Sequence, residues 1–182
     1  AFIVPGTFAK KITMLEAFNQ GLYYVQSLSS MIPPLILNPQ PTDAVLDMCA
    51  APGSKTTQIA ALMNNGGQII ANDLSRIRKY RLQGNLNIQG VTNTRVLLGP
   101  GQFIWKRMPN SFDKVLLDAP CSLEGRFNLN EPDSYKQWSI KEVKKNSDRQ
   151  KFLLRSAISC VKPGGEIVYS TCTSSPEENE AI

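Results

Sequence analysis

The chain has no histidine in its 182 residues. Within this chain that excludes Ser-His-Asp triads, histidine general bases and His-rich metal sites, common devices of catalysis near neutral pH. Cysteine is sparse: Cys49, Cys121, Cys160 and Cys172, with no C-x-x-C spacing. No metal site is expected, nor the disulfide framework of a small secreted domain. No signal peptide and no long apolar span are read, so no membrane partner is expected. Reduced thiols in a cytoplasmic protein are the better reading. G-x-G-x-x-G and G-x-x-x-x-G-K-[ST] are also absent, which disfavours a dinucleotide and a nucleoside triphosphate. The chain opens on Ala1 rather than Met, as expected for a piece of something longer.

What is present fits one globular domain, with 42% apolar residues and room for a core. Lys and Arg outnumber Asp and Glu by 20 to 15, a formal charge of +5. That excess suits a polyanion without requiring one. Two basic clusters, Arg76, Arg78, Lys79 and Arg81, and Lys144, Lys145, Arg149 and Lys151, read first as solvated helix faces and second as phosphate contacts.

Residues 1–41 read as an N-terminal extension packing on a domain at 42–182. Within the extension, residues 21–32 suggest a short strand running into a helix that Pro33-Pro34 breaks or restarts. The domain then alternates. Strands are expected at 44–48, 68–73, 94–98, 114–117 and 166–169, and helices at 55–63, 75–86 and 149–161. Residues 124–147 read as a polar loop with a short helix, and Lys162-Pro163-Gly164-Gly165 as a tight turn. Such alternation predicts an α/β fold with a doubly wound, mostly parallel sheet.

In such a sheet, ligands bind at the carboxyl ends of strands. Three stretches fall there. The loop Cys49-Ala50-Ala51-Pro52-Gly53-Ser54-Lys55 joins the first strand to its helix. Its small residues allow close backbone approach, and the helix start offers free N–H groups to a ligand. Asp73 ends the second strand, where an acid accepts hydrogen bonds from a ribose or caps the next helix; position leaves both open. Loop and acid together suggest an adenosine-containing cofactor. The third stretch is a pair: Asp118-Ala119-Pro120-Cys121-Ser122 and Ser170-Thr171-Cys172-Thr173. Two strands that deliver thiols to one sheet edge suggest covalent chemistry on an electrophilic carbon. Cys160, and Cys49 as a thiol, read as structural.

DMCAAPGSKT, DAPCS and STCT followed by Pro176-Glu177-Glu178-Asn179-Glu180 resemble the Sun-type RNA (cytosine-5) methyltransferase family. The resemblance runs from about Gly21 to the last residues. It implies a Rossmann-like methyltransferase fold, S-adenosylmethionine as cofactor and a cytosine in ribosomal or transfer RNA as substrate. It implies that residues 49–55 hold the methionine part and nearby ribose, with Asp73 on the ribose hydroxyls. Asp118 would lie between cofactor and base, Cys172 would be the nucleophile, and Cys121 would assist product release. In DNA cytosine methyltransferases a Pro-Cys cysteine attacks. Here Thr-Cys-Thr and Pro-Glu-Glu-Asn-Glu match the RNA family, which assigns attack to Cys172.

Some positions depart from the family's pattern. Ser54 replaces a common glycine, Leu123 replaces a small residue after Pro-Cys-Ser, and Gly99 stands where an acid is usual. The fold normally adds two strands after the fifth, which are not found here. These departures motivate the alternative of a non-catalytic RNA-binding relative with a decayed cofactor site. A monomer is the favoured state.

Overall fold

The computed structural model describes residues 2–182. Its centre is a five-stranded parallel sheet: β1 (Ala44–Asp47), β2 (Gln68–Asp73), β3 (Thr94–Leu98), β4 (Phe112–Asp118) and β5 (Val161–Ser170). The strand order is β3-β2-β1-β4-β5. The chain leaves β1 toward one edge, then returns to build on the other side of β1. A crevice opens where the winding reverses, outside the carboxyl ends of β1 and β4.

Among the described residues six α-helices flank or precede the sheet: α1 (Ala9–Ile12), α2 (Glu16–Asn19), α3 (Leu28–Leu37), α4 (Ser54–Leu62), α5 (Arg76–Ile88) and α6 (Ile140–Cys160). Strand side chains alternate between two layers. Val45, Ile69 and Leu116 join Leu37 of α3 and Ile59 and Ala60 of α4. Leu46, Ile70, Val115 and Leu117 join Leu153, Ala157 and Cys160 of α6. A third cluster seats Leu82 and Leu86 of α5 on Ala50, Ala51 and Ala71. Helices therefore cover both faces, as the alternation predicts.

β2 and β3 have their expected bounds; three other features differ from expectation. No strand forms in residues 21–27, and Pro33 and Pro34 do not break α3, which runs on to Leu37. Each proline removes an N–H from the helix ladder, but both rings are buried, and α3 packs on α4, β4 and β5. Tertiary burial here outweighs local propensity. The helix stops instead at Asn38, whose φ of 46° is a left-handed cap.

The second difference is α6, which starts at Ile140, nine residues before the expected helix, inside the stretch read as loop. Ser139 caps it by accepting from the Glu142 N–H at 3.2 Å. The third is the 162–165 turn, which lies within β5. The β4–β5 register passes from Phe112↔Val161 to Lys114↔Glu166, so the turn bulges out of a continuing strand, with Gly164 at φ 81°. Among the described residues no further strand pairs with β5, and no helix is long and apolar enough to cross a membrane.

Candidate active site

The crevice is a cavity of about 520 Å³, a size that takes a small-molecule ligand. Cys49, Ala50, Ala51, Pro52, Ser54, Lys55, Asp73, Asp118, Cys121 and Cys172 all line it. Of the expected site residues only Gly53 does not. It turns the chain into α4 at φ 110°, and a Cβ there would sit 2.9 Å from Leu82 Cδ1. Only glycine meets both demands without cost.

Asp73 is fixed by the loop it faces. Oδ1 accepts from the Ser75 N–H at 2.9 Å, and Oδ2 accepts from the Ala51 N–H at 3.3 Å. The Arg78 guanidinium lies 3.3 Å from Oδ2 and also donates to Ala51 O. The cap on α5 is Ser75, not Asp73. Arg78, from the first basic cluster, is thus tied into the ligand loop rather than free for phosphate.

Asp47 ends β1 at the cavity and is 1% exposed. Oδ2 accepts from Thr56 Oγ1 at 2.6 Å, while Oδ1 has no partner. Burial pushes its carboxyl up to about 7. An orphaned buried acceptor beside an open cavity suits a ligand that brings a donor or a cation. The enclosed Cys49 thiol is pushed up to about 12, by burial first and then by Asp47 and Asp73, so it is no nucleophile.

Asp118 ends β4 between two partners. Lys55 Nζ donates to Oδ2 at 2.7 Å, and Ser170 Oγ donates to Oδ1 at 2.8 Å. Lys55 also donates to Ser30 Oγ of α3 at 3.1 Å. A carboxylate held against an ammonium is an acceptor.

Beyond Asp118 the two thiols meet. Cys121 Sγ and Cys172 Sγ lie 3.4 Å apart, and the Cys172 N–H points at Cys121 Sγ at 3.3 Å. The hydrogen bond from the Cys121 thiol holds the Cys172 thiol down to about 6, with Arg126 and Lys55 helping against burial and the Asp118 charge. Cys121 moves the opposite way, pushed up by the same hydrogen bond and by burial. The two thiols therefore ionise as a pair, with the first ionisation favoured on Cys172. Cys160, the last residue of α6, is buried in the core, away from both.

Leu123 begins the turn over the thiols at φ 66°, where a non-glycine residue is strained. Gly125 then donates to Cys172 O at 3.0 Å, and a Cβ at Gly125 would meet that oxygen at 2.9 Å. Gly99 does not line the cavity; Gly101 and Gln102 do, after the same strand. The sequence reading passed over Asp47, Ser30 and Arg126 as site residues. Asp47 was findable as the acid opening DMCAAPGSKT; Ser30 and Arg126 had no local signal. Arg149, from the second basic cluster, also lines the cavity. No group of three or more His, Cys, Asp or Glu suited to a metal occurs among the described residues.

A 3-2-1-4-5 parallel sheet with an acid-lined cavity at its switch point, closed by two thiols, places the domain in the Rossmann-like methyltransferase class. Within that class the chain belongs to the 16S rRNA methyltransferase RsmB/F family, whose model it matches over residues 34–182. It is 48% identical over 164 residues to a ribosomal RNA small subunit methyltransferase F of Vibrio campbellii, covering 89% of this chain and 34% of that protein. It is 48% identical over 168 residues to a tRNA (cytosine(49)-C(5))-methyltransferase of Pyrococcus abyssi, covering 92% of this chain and 53% of that one. Among solved structures it is similar to NSun6 from Pyrococcus horikoshii with SFG, with a TM-score of 0.84, 36% identity and coverage of 93% and 43%. The chain thus spans between a third and about half of the curated relatives' length.

Proposed function

We propose that this chain is the methyl-transferring domain of an S-adenosylmethionine-dependent RNA (cytosine-5)-methyltransferase acting on ribosomal or transfer RNA. The observation that carries the reading is the thiol pair, 3.4 Å apart, beside the Lys55–Asp118 ion pair at the mouth of the cavity. Family membership and the names of the two relatives support the same chemistry.

S-adenosylmethionine, when bound, supplies an electrophilic methyl group. Asp47, with its unpartnered oxygen, would receive the amino group of the methionine part, and residues 49–55 would enclose that part. Asp73 would take the ribose hydroxyls on its remaining lone pairs. Both acids fit that ligand by charge and by place.

The target cytosine must be unpaired or flipped out to reach the cavity. Asp118 accepts from its exocyclic amino group, and Lys55 keeps that carboxylate aimed. Cys172, as its thiolate, bonds to carbon 6, which breaks the aromaticity and makes carbon 5 nucleophilic. Carbon 5 takes the methyl group. Its proton must then leave, so that the C6–S bond can break and return the thiolate to Cys172. Cys121 assists this second half. While Cys172 is a thiolate, ionising Cys121 would set two anions 3.4 Å apart; once Cys172 is a thioether that obstacle is gone. Cys121 can then shed its own proton and accept the one from carbon 5. Both steps need reduced thiols, which suits the cytoplasm.

The test is trapping with RNA that carries 5-azacytosine. A covalent complex that forms with wild type and is lost in Cys172→Ala is expected. An adduct that survives Cys172→Ala but not Cys121→Ala would reverse the two roles, and no methyl transfer to any RNA would end the proposal.

A further inference from the structure

Glu178 lies 0% exposed in the short helical turn after the second cysteine motif and does not line the cavity. A buried carboxylate is costly unless its lone pairs are taken. Here the Ser122 N–H lies 3.3 and 3.2 Å from its two oxygens, Gln150 Nε2 donates to Oε2 at 2.7 Å, and the Ser122 hydroxyl donates to Oε1. The same Gln150 amide donates to Pro120 O at 2.9 Å. Next door, Asn179 accepts from Thr171 Oγ1 at 2.6 Å and donates to Thr173 O at 3.2 Å. Ser122 is therefore tied to Glu178 directly and Pro120 through Gln150, and the residues on either side of Cys172 are tied to Asn179.

The geometry points to Glu178 as a positioning residue: a carboxylate clamp that sets the separation of the Cys121 and Cys172 sulfurs. It acts through the two loops and touches neither sulfur. The assignment rests on the proposed reading of the two cysteines as attacking and releasing thiols. Its oxygens take the Ser122 N–H and the Gln150 amide, both fixed donors, while the Ser122 hydroxyl, also 2.8 Å from Glu124 Oε2, can give its one proton to either carboxylate. A leucine at 178 would leave both fixed donors without an acceptor.

The test reads sulfur proximity without RNA. Diamide takes two protons and two electrons from a pair of thiols, becoming a hydrazine and leaving a disulfide. Wild type should form the Cys121–Cys172 disulfide quickly. In Glu178→Leu the rate should fall about tenfold, the worth of one hydrogen bond to a charged group. The RNA adduct of that variant should outlast methyl transfer, while S-adenosylmethionine binds as in wild type. Gln150→Met, which leaves Glu178 two of its donors, should slow the disulfide less and decides the matter if Glu178→Leu does not fold. Wild-type disulfide rates in a folded variant would overturn the clamp. A Cys172→Ala protein that still methylates RNA would sink the functional reading alone, since the oxidation rates judge the clamp independently.

Discussion

Lys55 Nζ sits 2.7 Å from Asp118 Oδ2, joining the first turn of α4 to the end of β4 across the switch point of the sheet. The lysine side chain is 13% exposed and the aspartate 35%, so solvent screens the pair only in part. In the proposed function it links the cofactor side of the cavity to the base side.

Asp118→Ala should therefore abolish methyl transfer while weakening S-adenosylmethionine binding far less. Lys55→Met should do the same in milder form, because the carboxylate survives but is no longer aimed. Calorimetric titration beside a methyl-transfer assay separates the two quantities. Equal losses in both would count against a role specific to the base.

Asp73→Ala should abolish saturable cofactor binding. It should also lower stability, since the N–H groups of Ser75 and Ala51 lose their acceptor and Arg78 its partner. Each orphaned group costs on the order of 1–3 kcal/mol if water does not replace the bond. Calorimetry for binding and thermal melting for stability test both halves. Undiminished affinity would remove Asp73 from the cofactor site.

Cys172 should alkylate with iodoacetamide as a thiolate, with the rate rising as pH increases through about 6 and levelling above it. The first cause of the low value is the Cys121 hydrogen bond. Cys121→Ala should accordingly move the midpoint upward. A midpoint that stays put would show that Arg126 and Lys55 suffice.

Asp47 contributes to stability in the opposite direction from a salt-bridged acid. Its folded pKa is raised from 3.8 to about 7, so its contribution is fully present below the unfolded value and is lost as pH rises through the folded one. Without ligand, Asp47→Asn should erase that loss and melt higher than wild type at pH 8. It should also bind S-adenosylmethionine more weakly, since the charge facing the amino group is gone. A wild-type melting temperature at pH 8 would place the penalty elsewhere.

Leu123→Gly should stabilise the turn over the thiols by about 0.5–1 kcal/mol, the left-handed strain relieved less the added chain entropy. Chemical denaturation reads this directly. Loss of stability would mean that the half-exposed leucine packs better than its φ of 66° costs.

The sheet was legible because apolar runs such as Gln68–Asp73 and Thr94–Leu98 end on turn residues, and all but one of the expected site residues fall at the strand ends that line the cavity. The first half of α6 was not. Its buried positions there are Val143, Ser147 and Gln150, spaced as one helix face but mostly polar. No apolar period marks such a face, and only the Ser139–Glu142 capping pair advertised its start. Pro33-Pro34 misled for the converse reason: a local rule yielded to burial. Glu178 stood only as one acid of the Pro-Glu-Glu-Asn-Glu run, because its partners Ser122 and Gln150 lie 56 and 28 residues away.

Those separations also set a schedule. Cys121 and Cys172 are 51 residues apart along the chain, and the second lies beyond β5. During synthesis β1 to β4 can assemble while Cys172 is still inside the ribosome. Until β5 docks, Cys121 has no sulfur neighbour and Cys172 lacks the bond that lowers its pKa. A nascent chain therefore carries two ordinary thiols, and the Cys172 pKa falls only once β5 is in place.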